Sequence, residues 1–144
     1  RSVLGWKLSE SLHSDLVTTA ISRALDTGLV ARGAIFHSDR GCQYSAPVTR
    51  ALLEHAGLRQ SMSAKGYCYD NAFAESFMKT IKTEEVYLWE YRTLDDVLRR
   101  LPYFIEQVYN QKRLHASLDY VPPVEYEAML INQNQKAPCP IVLS

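Results

Sequence analysis

Ala34-Ile35-Phe36-His37-Ser38 is a five-residue run with β-favouring Ile and Phe, set between two segments of helical periodicity and ended by Asp39-Arg40-Gly41. Too short for a helix and bounded by turn residues, it reads as a buried strand. Before it, Leu16, Val17, Ala20, Ile21, Ala24 and Leu25 recur at helical spacing from about Asp15 to Asp26, with Ser14 placed to cap and Gly28 to stop. After it, Pro47 suits the first turn of a helix running to about His55 and closed by Gly57. Val3–Leu8, which contains Trp6, and Leu58–Met62 read as further strands. The order strand, helix, strand, helix, strand is that of an α/β sheet covered by helices. In such sheets chemistry gathers beyond the carboxyl ends of strands. Asp39 stands at that edge.

A chain of 144 residues, 47% apolar, can bury roughly two-thirds of the surface its unfolded form exposes, so it needs no disulfide or metal to fold. Cys42, Cys68 and Cys139 are odd in number and match no zinc or thioredoxin-like spacing, which leaves them as reduced thiols. No apolar run approaches the roughly 18 residues of a membrane span, and the first residues lack a signal-peptide pattern. The expected location is therefore the cytoplasm, with no membrane partner. Sixteen basic residues balance 16 acidic ones, which excludes gripping nucleic acid by bulk charge. Any contact with DNA must be local. The chain opens on Arg rather than Met with a strand already under way, so it reads as a piece of something longer.

Beyond Met62, Ser63–Tyr69 lacks any period and contains Gly66, so it reads as a mobile loop. Asp70 is placed to cap the next helix. There Phe73, Phe77 and Ile81 recur every four residues, with Ala74 and Met78 beside them, and define a stripe expected to be buried. Thr93-Leu94-Asp95-Asp96 resembles a capping box opening a helix that turns Val97, Leu98, Leu101, Phe104, Ile105 and Val108 inward. Pro102 lies inside it and should bend it. Pro122-Pro123 precedes a last helical segment, Val124 to Ile131, and a frayed tail.

Taken alone, Asp39 is most simply a turn residue and Glu75 a solvated helical carboxylate. Lys79 and Lys82 follow Glu75 at i+4 and i+7 on one helical face. A surface Glu–Lys pair accounts for Lys79 but not for Lys82. Between Asp39 and Glu75 lie 35 residues. Here the chain resembles the integrase-like catalytic domain of bacterial insertion-sequence transposases. Three stretches carry the resemblance: His37-Ser38-Asp39-Arg40-Gly41-Cys42-Gln43-Tyr44, then Asp70 to Glu84 around Glu75, then Tyr109-Asn110-Gln111-Lys112-Arg113-Leu114-His115-Ala116-Ser117-Leu118 with Pro123 and Tyr126 beyond. It runs from about Arg1 to Glu127, leaving 128–144 as a C-terminal tail.

The resemblance implies a ribonuclease H-like α/β integrase core that cleaves and transfers DNA strands with two divalent ions, Mg²⁺ or Mn²⁺. By resemblance Asp39 and Glu75 are metal ligands and catalytic residues. Lys82 and Lys79 would contact DNA, and Asn71 could orient substrate or a ligand water. Arg113 and His115 are backbone contacts or, equally, Arg113 holds a C-terminal helix through a carboxylate. The loop at 62–69 would order when DNA arrives. The implied first Asp, on an opening strand, has no counterpart: Asp15 and Asp26 match no motif. The expectation is thus an N-terminally truncated core, its first strands absent, binding metal weakly and inactive alone. The edge left unpaired predicts strand exchange or a homo-oligomer. The partners implied are transposon ends and target DNA. The alternatives are an inactive remnant that binds DNA ends or transposase subunits, and an unrelated α/β enzyme using His37 or Ser38.

Overall fold

The computed structural model describes residues 2–64 and 71–133, together with the backbone of Val142–Leu143. The chain forms two compact units, Leu4–Lys79 with Cys139–Ser144 and Thr80–Pro138 with Arg1–Val3. Its elements are α1 (Ser14–Asp26), β1 (Ile35–Ser38), α2 (Cys42–Ser45), α3 (Pro47–His55), β2 (Arg59–Met62), α4 (Ala72–Glu84), α5 (Leu94–Tyr103), α6 (Pro123–Gln133) and β3 (Val142–Leu143). Mixed helix and strand with a small sheet is the outcome expected from the element order.

In the first unit β1 is central, in the order β2-β1-β3. It runs parallel to β2, pairing Ile35 with Arg59 through Ser38 with Met62. Phe36 and Ser38 are buried while Ile35 and His37 are half-buried, the alternation of a strand with one covered face. Val17, Ile21, Ala34, Phe36, Leu53 and Leu58 form the core beneath that face. The step from α3 into β2 is set by Gly57, whose φ of 69° is open to glycine at little cost. Its N–H donates to the Glu54 carbonyl at 2.9 Å and the Leu58 N–H to the Leu53 carbonyl at 2.8 Å. This is a Schellman closure, and its usual apolar clasp is Leu53 against Leu58, both buried in the core.

Two expectations change here. Val3–Leu8 joins no sheet. A methyl group on Gly5 would collide with the Ala20 carbonyl and lie 2.6 Å from the Ala24 nitrogen, so this segment rests directly on α1. The Arg23 guanidinium holds it there, donating to the Trp6 carbonyl at 2.8 Å. An extended apolar sequence satisfies strand propensity without a ladder when a helix surface takes its contacts. The second change is at the edge of β1, where Ile35 and Phe36 pair in parallel with Val142 and Leu143 of the same chain.

The second unit is helical. Thr93 caps α5, its hydroxyl accepting from the Asp96 N–H at 3.2 Å while the Asp96 carboxylate accepts from the Thr93 N–H at 3.0 Å, as its sequence predicted. After Pro102 the backbone widens into a π-helical turn, Phe104–Tyr109, that buries Phe104, Ile105 and Tyr109. Pro102 lacks the N–H an α-helix would use there, and a π-turn is one way for the chain to absorb the fault. Asn110 then acts as a surrogate strand: its side-chain oxygen accepts from the Val3 N–H at 2.9 Å and its amide donates to the Val3 carbonyl at 3.0 Å. Along α4, Ile81 is buried, Phe77 half-buried and Phe73 60% exposed, so the expected stripe is covered only towards its C-terminal end. Periodicity identifies a shared face, not how far that face is covered. The loop expected at 63–69 and the cap at Asp70 fall largely on 65–70, outside the described residues.

Two outcomes test this packing. Leu53→Ala should cost about 2–5 kcal/mol in denaturant unfolding, because Leu53 is 1% exposed and joins core to Schellman clasp. Tyr91 donates its hydroxyl proton to the buried Glu85 carboxylate, and burial first, then that carboxylate, push its pKa up to about 12. A raised tyrosine stabilises the fold fully below its unfolded pKa near 10, and that stabilisation is lost as pH rises through 12. Tyr91→Phe should therefore flatten the alkaline fall in thermal stability between those values.

Candidate functional site

Asp39 follows β1 directly, and the last backbone bond of the β1–β2 region, from the Ser63 N–H to the Ser38 carbonyl at 2.9 Å, holds the chain immediately before it. The side chain is exposed. One carboxylate oxygen accepts from the Gly41 N–H at 2.8 Å, the Asx turn that the Asp-Arg-Gly sequence suggested. Tyr44 lies near: burial first, then the Asp39 charge, raise its hydroxyl above the usual tyrosine range. Its ring is 6.2 Å from Phe36, and its backbone carbonyl accepts from the Gln60 amide at 2.7 Å. Tyr44 thus braces the Asp39 turn against both strands. Tyr44 stands five residues after Asp39 in the His37–Tyr44 motif, and that spacing is the sequence signal for its place beside the turn.

Glu75 is exposed in the first turn of α4, where the helix macrodipole favours a carboxylate, and Lys82 is exposed in the last, where it favours a cation. Lys79 is exposed one turn after Glu75, and Asn71 is half-buried just before the helix. Asp39, Glu75, Lys79 and Asn71 fall in the first unit; Lys82, Arg113 and His115 fall in the second. Neither Asp39, Glu75 nor Lys82 ion-pairs with a described residue. Among the described residues no three His, Cys, Asp or Glu side chains gather as a metal-binding group. Two exposed carboxylates suit a hard cation that keeps several waters.

Arg113 and His115 sit differently. Arg113 grips Glu84 at the end of α4 with two bonds, Nε to Oε2 at 2.8 Å and a terminal nitrogen to Oε1 at 2.6 Å. Of the two roles left open for Arg113, this geometry matches the carboxylate clamp. His115 is buried, its ring edge-on to Tyr109 with centroids 4.9 Å apart. A second clamp went unseen in the sequence. Glu85 is 5% exposed and accepts from Arg100 Nε at 3.0 Å as well as from Tyr91, while the Arg100 guanidinium stacks 3.5 Å over Trp89. No periodicity relates these four residues, so only the fold brings them together.

With this geometry in place, comparison with known proteins is direct. The Integrase core domain family matches residues 56–123. The chain is similar to the transposase for insertion sequence element IS904 of Lactococcus lactis, 35% identical over 88% of this chain and 50% of that protein. It is also similar to transposase InsF for insertion sequence IS3A of Escherichia coli K12, 37% identical over 88% of this chain and 44% of that protein. The Insertion element IS600 protein of Shigella sonnei is 36% identical over 86% of this chain and 46% of its own length. The chain is therefore a relative of insertion-sequence transposases, as the three motifs indicated, and spans about half the length of the relatives it matches.

Hydrogen bonds from Arg113 first, and its charge as well, hold Glu84 below the usual carboxylate range. Such a group stabilises the fold above its unfolded pKa near 4.5 and loses that contribution as pH falls through the lowered folded value. Glu84→Gln should cost about 1 kcal/mol or less at neutral pH, given solvent screening, and should remove part of the acid destabilisation seen in thermal melts below pH 4.5.

Proposed function

We propose that this chain is the C-terminal part of a ribonuclease H-like catalytic core that cleaves and transfers DNA strands in transposition, with Asp39 and Glu75 as its metal ligands. The observation that carries the reading is the pair itself. Two exposed carboxylates without ionic partners among the described residues belong to one compact unit, one fixed at the end of a central strand and one on the first turn of a helix. Similarity to transposases of insertion sequences supplies the substrate class, DNA. Divalent ions such as Mg²⁺ or Mn²⁺, when bound, activate the attacking oxygen and neutralise charge on the leaving oxygen of a phosphodiester.

The chain's own residues divide the remaining work. The Asx turn at Asp39 commits one oxygen to Gly41 and leaves the other for a ligand. Lys79 and Lys82 continue the Glu75 face along α4 for about two helical turns, and we assign them, with Asn71, to DNA near the cleaved end. Arg113 and His115 we place in the scaffold, since one clamps Glu84 and the other is buried. Two carboxylates hold a hard cation weakly, so this stretch alone is expected to bind metal without turning over. Homo-oligomer formation is part of the proposal: the outer edge of β2 carries no partner strand among the described residues, and such an edge can accept one.

The test is calorimetric titration of Mn²⁺. The wild-type chain should bind weakly, and Asp39→Asn and Glu75→Gln should each lower affinity by at least the roughly 10–100-fold that loss of an outer-shell partner costs. Heats that are the same in both variants as in the wild type would overturn the assignment. They would favour instead a remnant that binds DNA ends without metal.

A further inference from the structure

We propose that Arg40 is a phosphate-binding residue, anchored beside Asp39 to grip the DNA backbone next to the reacting phosphodiester. Nothing in the motif reading gave Arg40 a role, and the proposal deepens the one above, since it rests on DNA being the ligand. Three observations place it. Arg40 follows Asp39 directly at the carboxyl end of β1 and is exposed. Its Nε donates to the Ser63 carbonyl at 2.9 Å, and Ser63 is buried and tied to β1 through its own N–H on the Ser38 carbonyl. The guanidinium is thus fixed at its inner nitrogen by the same residue that fixes the end of the strand. Finally, no carboxylate among the described residues ion-pairs with Arg40.

These facts separate Arg40 from Arg92, Arg100 and Arg113. Arg113 and Arg100 are spent on Glu84 and Glu85, and Arg92 pairs with Glu90 at 2.7 Å. The Asp39 carboxylate, the nearest acidic group in sequence, turns to the Gly41 N–H instead. A guanidinium has five N–H donors in a planar fork. With Nε committed to Ser63, the terminal amino groups keep the paired geometry that suits two oxygens of one phosphate. Anchoring one nitrogen lowers the conformational freedom lost when the others bind. Because the chain carries no net charge, affinity for DNA must come from such local contacts.

The experiment measures binding of a fluorescently labelled DNA duplex of arbitrary sequence by anisotropy, across a salt series, with EDTA present so that no metal bridges protein and phosphate. Arg40→Gln should lower the slope of log affinity against log salt by about 1, equivalent to about an eightfold loss at 0.1 M salt. Arg40→Lys keeps the charge but not the fork, so it should retain the slope and bind more weakly than wild type. A wild-type slope in Arg40→Gln, or wild-type protein that binds no duplex at any salt, overturns the proposal. If Arg40→Gln lacks a cooperative melt, Arg40→Lys decides: affinity equal to wild type overturns it. Mn²⁺ titration of the same preparations separates this from the catalytic reading. Retained heat in Arg40→Gln beside lost heat in Asp39→Asn supports both. Heat retained in Asp39→Asn sinks the metal assignment while a reduced slope in Arg40→Gln leaves the phosphate contact standing.

Discussion

Parallel pairing of β1 with β2 is the constraint on which the first unit depends. Four residues on each side are in register, and the Ser63 N–H extends the ladder by one bond to Ser38. A strand four residues long has little ordering energy of its own, so its position comes from what is attached at each end. At the start of β2 the Schellman closure at Gly57 delivers Leu58 into the core and Arg59 into the ladder, so α3 cannot shift without moving β2. At the far end, Ser63 receives Arg40 on its carbonyl and gives its N–H to Ser38. The carboxylate of Asp39 therefore emerges from a point braced on two sides. That rigidity suits the role proposed for Asp39, because a site's geometry must be held before its ligand arrives.

The second unit depends on ion pairs more than on strands. Consecutive carboxylates, Glu84 and Glu85, are claimed by different arginines from different parts of the chain. Their environments differ. Glu85 is almost fully enclosed, and its two partners leave few lone pairs unmet, so losing Arg100 would strand a buried charge. Glu84 is partly open to solvent, and its pairing with Arg113 contributes direction more than energy. Together they fix where α4 ends.

Much of this was legible in the sequence, and the failures have physical causes. Helices α1, α3 and α5 announced themselves through apolar spacing with punctuation at Gly28, Gly57 and Thr93, all local signals. The strand ending at Ser38 was readable because turn residues follow it. Val3–Leu8 misled, since a helix surface can replace a ladder and nothing local distinguishes the two. The pairing of Val142–Leu143 with β1 was invisible because contact over such a sequence distance leaves no period. At the site, spacing and motif singled out Asp39 and Glu75, but charge alone could not say which basic residues were committed elsewhere. Arg113 and Arg40 look alike in a sequence. One faces a carboxylate and the other a backbone carbonyl.

That distinction bears on how a chain of zero net charge could meet the polyanionic substrate proposed for it. Net charge counts every ion equally, whereas a phosphate senses those cations that no neighbouring carboxylate has already neutralised. Among the described residues three arginines are neutralised, at Glu84, Glu85 and Glu90. Pairing them removes equal numbers of both signs and leaves the total unchanged. What changes is position: the neutralised pairs lie at Glu84, Glu85 and Glu90, while Arg40 beside Asp39 and Lys82 on the Glu75 helix keep their charge unpaired among the described residues. A balanced composition can therefore coexist with individual cations that no described carboxylate neutralises. Attraction from such isolated charges is short-ranged, screened beyond about 8–10 Å at ordinary ionic strength.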